Sequence, residues 1–323
     1  MGASPPPALA AAGRQVFIPS EVDPPVFDEA FLRQLERLLL LMRSPARGGL
    51  KGGRRSVKRG QSVEFADYRD YSMGDDLRQL DWNVYARLEK LFVKLFVEEE
   101  DVTVTMLIDA SASMGYRGRG LSKLEYASVL AAALAHVLLR QQDRVGLFAF
   151  RDQPGGPPLY LPPRSHGGQL SQVVTALESL RAQGATDLHA AASAIAERAH
   201  RRSVIVLLSD LLDFRDGALD GLKRLRAQRH DVVVLHLLDA DELGLPFDEP
   251  TLFCGMEDDR EVLCDPRALR ASYLRVLGAF LEAARSACAS TDIEYRLVDT
   301  SRPPSEVLVE FLGERSRSRP TRR

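Results

Sequence analysis

The sequence predicts an α/β protein, a Rossmann-like, doubly wound, mainly parallel sheet with a small strand-rich segment ahead of it. Three observations carry this. Apolar runs of strand character recur at 102–108, 144–150, 203–209 and 231–238. Stretches with helical periodicity separate most of them, and short polar clusters follow the strands. Strands buried on both faces read as unbroken apolar runs, and their alternation with helices is the pattern of a parallel sheet covered on both sides.

The elements follow in order. Residues 1–26 are rich in Pro and Ala, and a helix is expected from Asp28, a capping residue, to Met42. The stretch GGLKGGRRSVKRG at 48–60 reads as a loop. VEFADYRDY and KLFVKLFVEE read as strands flanking the turn MGDD and the segment LRQLDWNVYARL. VTVTMLI opens the regular part, followed by a helix in SKLEYASVLAAALAHVLLR and the strand RVGLFAF. Helices are expected in GGQLSQVVTALESL and DLHAAASAIAERA, then the strand SVIVLLS, a helix across Gly217–Gln228 and the strand DVVVLHLL. A hairpin in TLFCGMEDDREVLC, a helix from Pro266 to Ala289 and the strand IEYRLV complete the pattern. The expected division is 1–50 (flexible start and one amphipathic helix), 51–100 (strand-rich segment), 101–312 (main domain) and 313–323 (disordered basic tail).

Composition narrows the function classes. With 45% hydrophobic and 27% charged residues and a formal net charge of -2, no global field draws the chain to nucleic acid or an anionic membrane. The basic stretches 43–59 and 315–323 lack interleaved aromatics and belong to no nucleic-acid reading motif. Cys254, Cys264 and Cys288 form no CxxC pair; free thiols in a reducing compartment are expected, with a Cys254–Cys264 pairing across the hairpin as the alternative. No apolar stretch approaches the roughly 20 residues of a membrane span. The first residues lack a basic start and apolar centre, so a cytoplasmic location is expected. Neither G-x-S-x-G, H-E-x-x-H nor a P-loop occurs.

Ligands of an open parallel sheet gather at the carboxyl ends of its strands. Three polar clusters fall there: Asp109-Ala110-Ser111-Ala112-Ser113 after the first long strand, Gly184-Ala185-Thr186-Asp187 before a helix, and Ser209-Asp210 after SVIVLLS. They offer carboxylates and hydroxyls, hard donors that suit Mg²⁺, Mn²⁺ or Ca²⁺. Each cluster alone also reads as a helix N-cap; the metal reading rests on their convergence.

The D-x-S-x-S of Asp109, Ser111 and Ser113, with Thr186 and Asp210 in order after it, resembles the metal-ion-dependent adhesion site of von Willebrand factor A domains. The resemblance implies a von Willebrand factor A-like fold. It also implies a cation, Mg²⁺ first, held by Asp109, Ser111, Ser113, Thr186 and Asp210, with one coordination position open to a partner's Asp or Glu. Upstream, Glu64, Phe65, Arg69, Tyr71, Gly74, Asp75, Asp76, Arg78, Asp81, Trp82, Ala86 and Arg87 resemble the signature of the bacterial family catalogued as domain of unknown function 58. That resemblance spans roughly residues 50 to 300. It implies a MoxR-type AAA+ ATPase as partner and a chaperone-like adaptor role in protein-complex assembly or maturation. Many members carry N-terminal transmembrane helices, which this sequence does not show.

Asp75, Asp76, Arg78, Asp81 and Arg87 are expected to form an ion-pair network at the junction of the two segments, with Trp82 as its anchor. Lys123 and Glu125 are expected to steady the loop before their helix. His136 and His236 lie in apolar patterns and are expected in or just under the core. The alternative function, a hydrolase using the same cation to activate water, would take His189 as its base.

Overall fold

The computed structural model describes residues 63–73, 80–98, 102–150, 158–199, 202–212, 218–258 and 260–317. These fall into two compact units, one holding the strand-rich segment up to residue 102 together with residues from Leu312 on, and one holding residues 103–311. The expected helix at Asp28–Met42, and Gly74, Asp75, Asp76 and Arg78 of the signature, lie outside the described residues.

In the first unit, β1 (Val63–Asp70) and β2 (Phe92–Glu98) pair antiparallel, with a bulge between Phe65 and Asp67. Helix α1 (Trp82–Leu88) connects them. Asp81 caps α1 by accepting from the Asn83 and Val84 N–H groups, and Tyr68 donates its hydroxyl to the same carboxylate at 2.8 Å. Trp82 opens α1, is 59% exposed and meets Tyr85 edge-on among the ring contacts described, while the Asp81 cap fixes the start of the helix.

The second unit is built on six strands: β3 (Thr103–Asp109), β4 (Arg144–Phe150), β5 (Leu159–Arg164), β6 (Val204–Ser209), β7 (Asp231–Leu238) and β10 (Glu294–Asp299). Their order is β10-β7-β6-β3-β4-β5, all parallel except β5, which runs antiparallel along β4. β8 (Thr251–Cys254) and β9 (Glu261–Cys264) form a separate hairpin. Its ends leave Cys254 opposite Glu261 and Cys264 opposite Thr251, so the cysteines do not face each other, and all three are free.

The helices are α2 (Lys123–Arg140), α3 (Gln169–Glu178), α4 (Leu188–Arg198), α5 (Ala218–Ala227), α6 (Ala240–Gly244), α7 (Pro266–Ser290) and α8 (Pro304–Arg317). One face of the sheet packs Leu107, Phe148, Leu207 and Val234 against Leu188 and Ile195 of α4, Leu222 and Leu225 of α5, and Cys288 of α7. On the other face, Leu208 and Leu235 line a small apolar space with Leu130 and Leu134 of α2 and Val307, Leu308 and Phe311 of α8. The sheet is therefore covered on both sides, which is why β3, β6 and β7 read as continuous apolar runs.

Among the elements that the sequence pattern does not show are β5 and α8. LYLPPR forms β5 although it holds Pro162 and Pro163; an edge strand tolerates prolines because one side of its ladder is unpaired. Opposite it, Gly146 leaves the space that Pro163 fills, since a Cβ there would lie 2.7 Å from the proline ring. Helix α8 continues to Arg317, so residues 313–317 are helical where the sequence reading begins a disordered tail. His236 is fully buried, and Tyr295 Oη sits 2.7 Å from its Nδ1.

Candidate metal centre

The parallel sheet delivers three loops to one edge. β3 and β6 are neighbours in register, with Ile108 opposite Leu208, so the residues that follow them emerge side by side. Asp109 is fully buried there. Its Oδ1 accepts from the Ser111 N–H at 2.9 Å, and its Oδ2 accepts from the Ser209 hydroxyl at 2.7 Å, a bond from one strand end to the next. Ser111 and Ser113 bring their hydroxyls within 3.1 Å of each other across the start of a 3-10 turn (Ala112–Gly115).

The segment before α4 is tied to this turn through its backbone. Ala112 N donates to Gly184 O at 2.8 Å, and Gln183 N donates to Ala110 O at 2.9 Å. Gly184 makes the bend possible with φ 74, a region open to glycine at little cost. Thr186 thus arrives at the same edge, but its hydroxyl is directed outward, donating to Glu257 Oε1 of the β8–β9 turn at 3.3 Å. Asp187, next to it, caps α4 through the Ala190 N–H at 2.8 Å.

Asp210, also fully buried, follows β6. The next residue, Leu211, has φ 55, a left-handed conformation that costs a branched residue roughly 1 kcal/mol or more. Burial of the Leu211 side chain, 1% exposed, offsets that strain and fixes the turn that holds Asp210. Asp210 Oδ2 accepts from the Lys123 ammonium at 2.8 Å, and Lys123 also donates to Glu242 at 2.7 Å.

Lys123, Glu242 and Glu257 are the residues the sequence reading placed too modestly or missed. Lys123 does more than steady a loop: its side chain is 1% exposed and its ammonium lies between two carboxylates. Glu125 does serve the loop. It completes a capping box with Ser122 and pairs with Arg117 at 2.7 Å. A lysine in the first turn of a helix opposes the helix dipole, and that mismatch is the signal in the sequence that its charge is used elsewhere.

Burial, then the proximity of Asp210, pushes the Asp109 carboxyl up to about 7. Burial alone would lower the Lys123 ammonium, but Asp210 and Glu242 outweigh it and raise it instead. Burial raises Glu242, against the pull of Lys123. Asp109 is thus a buried acid whose described hydrogen bonds come from neutral donors, beside a second acid already paired with an ammonium. Among the described residues no three His, Cys, Asp or Glu side chains form a metal-holding group by themselves. The donor set that fits a hard cation is mixed, with Asp109 and the Ser111 and Ser113 hydroxyls nearest one another and Asp210 beside them.

The second unit is thus a doubly wound, mainly parallel sheet with one antiparallel edge strand and an oxygen-rich cluster at its carboxyl edge. The chain belongs to the family described as protein of unknown function DUF58, whose model matches residues 67–279. Two uncharacterized relatives, Rv1480 of Mycobacterium tuberculosis and Mb1516 of Mycobacterium bovis, are each 26% identical over 274 residues, covering 81% of this chain and 84% of theirs. Among solved structures, the conserved hypothetical protein BatB from Bacteroides thetaiotaomicron is similar at 20% identity and a TM-score of 0.42, over 67% of this chain and 100% of that one. A von Willebrand factor type A protein from Catenulispora acidiphila matches at 13% identity and a TM-score of 0.38, over 70% of this chain and 44% of that one. No described helix is long and apolar enough to cross a membrane.

Proposed function

We propose that the chain is a protein-binding module that captures an acidic side chain of its partner through a divalent cation, Mg²⁺ first, held at the Asp109 edge. The observation that carries the reading is the Asp109–Ser111–Ser113 turn: a buried carboxylate with neutral donors beneath two converging hydroxyls. Asp109, Ser111 and Ser113 would hold the ion, with Asp210 and Thr186 completing the set. Bound there, the cation would supply an uncompensated positive charge to a partner carboxylate. Lys123 keeps Asp210 oriented, and the Ser209 hydroxyl keeps Asp109 oriented. The partner that best fits the family is a cytoplasmic MoxR-type AAA+ ATPase, with the chain as an adaptor in complex assembly or maturation. Nothing in the arrangement of the site favours the hydrolase alternative. His189 lies in the first turn of α4, with its backbone against Gly221 of α5.

The test is binding of purified chain to a purified MoxR-type ATPase, with the nucleotide state fixed. Wild type should bind, and Ser111→Ala and Asp109→Asn should each weaken binding at least about tenfold while keeping the wild-type circular dichroism spectrum. Unchanged binding by both variants would defeat the reading.

A further inference from the structure

The tip of the β8–β9 hairpin reaches over the edge just described. Its turn is tight: Gly255 N donates to Arg260 O at 2.7 Å, and a Cβ on Gly255 would lie 2.1 Å from the Asp258 carboxylate. Met256 lies against Gly115, its Cε 3.6 Å from where a Cβ would stand, at the end of the 3-10 turn that carries Ser113. Glu257 accepts from Thr186 twice, from the hydroxyl at 3.3 Å and from the backbone N–H at 3.4 Å. Met256, Glu257 and Asp258 wall a cavity of about 290 Å³ whose floor is Ser113, Lys123 and Glu242.

An acidic residue on a hairpin tip is ordinarily solvated. Here Glu257 is exposed, yet both of its carboxylate oxygens reach Thr186, one accepting from the hydroxyl and one from the backbone N–H. The hairpin is a short, separate two-stranded ribbon, and such ribbons are marginal on their own. Its tip is held by side-chain bonds at the long end of the hydrogen-bond range.

We propose that Glu257 is the chain's own stand-in for the partner carboxylate. The hairpin tip closes the cation edge until an acidic side chain from outside displaces it. The inference rests on the cation-dependent reading above and adds to it a competitor built into the fold. Partner capture then includes the release of Glu257, and the hairpin becomes the element that reports whether the edge is engaged.

The test uses Mn²⁺ alone on the full chain, reading affinity by electron paramagnetic resonance and hairpin protection by amide exchange. In wild type, Mn²⁺ should slow exchange at 255–258. Glu257→Gln keeps an acceptor for Thr186 but removes the charge. It should bind Mn²⁺ about tenfold more weakly and show no slowing at 255–258, the scale expected for two coupled groups. Asp109→Asn should lose the ion altogether. If Glu257→Gln matches wild type in both readouts while Asp109→Asn loses Mn²⁺, the stand-in is wrong and the cation reading survives. If wild type fails to bind Mn²⁺, both fall together.

Discussion

Asp109 and Asp239 are the same residue type at the same edge of one sheet, the first at the end of β3 and the second directly after β7. Both are buried. Asp239 is fully used. It caps α6 through the Asp241 N–H at 2.9 Å and completes a capping box with Glu242. It also accepts from Gly118 N at 3.1 Å and from the Thr300 hydroxyl at 3.3 Å. Gly118 approaches so closely that a Cβ would stand 2.4 Å from the Asp239 carboxylate. Asp109 has fewer donors, no helix dipole directly on it and a carboxylate beside it, and its carboxyl is pushed up to about 7. The contrast separates an aspartate whose oxygens the fold fills with donors from one with two described donors and a second carboxylate beside it. Residue type and position along the strand do not distinguish them; the partners do.

The sharpest way to break the comparison is to remove the ammonium between the two sites. Lys123→Met leaves the buried Asp210 and the part-buried Glu242 without their shared cation and should cost about 3–5 kcal/mol by chemical denaturation. A cost below about 1 kcal/mol would mean that the pair is solvated in practice. Next in size, Asp239→Ala removes a cap and leaves Gly118 N and Thr300 without their acceptor, costing about 2 kcal/mol.

Asp109→Asn should move the other way. The folded value for Asp109, about 7, stands above its ordinary value of 3.8, so the fold binds this proton more tightly than the unfolded chain does. Stability from this group is full below about pH 4 and is lost as pH rises toward 7 in cation-free buffer. The asparagine variant escapes that loss. At pH 7.5 with chelator it should be more stable than wild type by about 1 kcal/mol, and the gain should vanish near pH 4. A destabilised variant at pH 7.5 would place Asp109 with Asp239. The smallest effect is expected at the exposed ring: Trp82→Ala should change stability by less than about 0.5–1 kcal/mol.

Much of this was legible in the sequence, and the reason is periodicity. β3, β6 and β7 are buried on both faces and announce themselves as apolar runs, and α2 carries a Ser-x-x-Glu box at its start. β5 was hidden because prolines are read as breakers, and only the empty space at Gly146 makes Pro163 acceptable. At the site, the loops of Asp109 and Asp210 could be placed together because parallel strands share one orientation. What linear sequence could not supply is charge pairing across 87 and 119 residues, which binds Lys123 to Asp210 and Glu242. Nor could it supply the reach of Glu257 across 71 residues to Thr186. Such pairings are set by tertiary packing and leave no local pattern.

The most direct measurement is equilibrium dialysis of Mg²⁺ or Mn²⁺ against the full chain, comparing wild type with Asp109→Asn and Ser111→Ala. A single ion retained by wild type, and held at least about tenfold more weakly by both variants, is the result this account requires. Equal retention by all three proteins would contradict it.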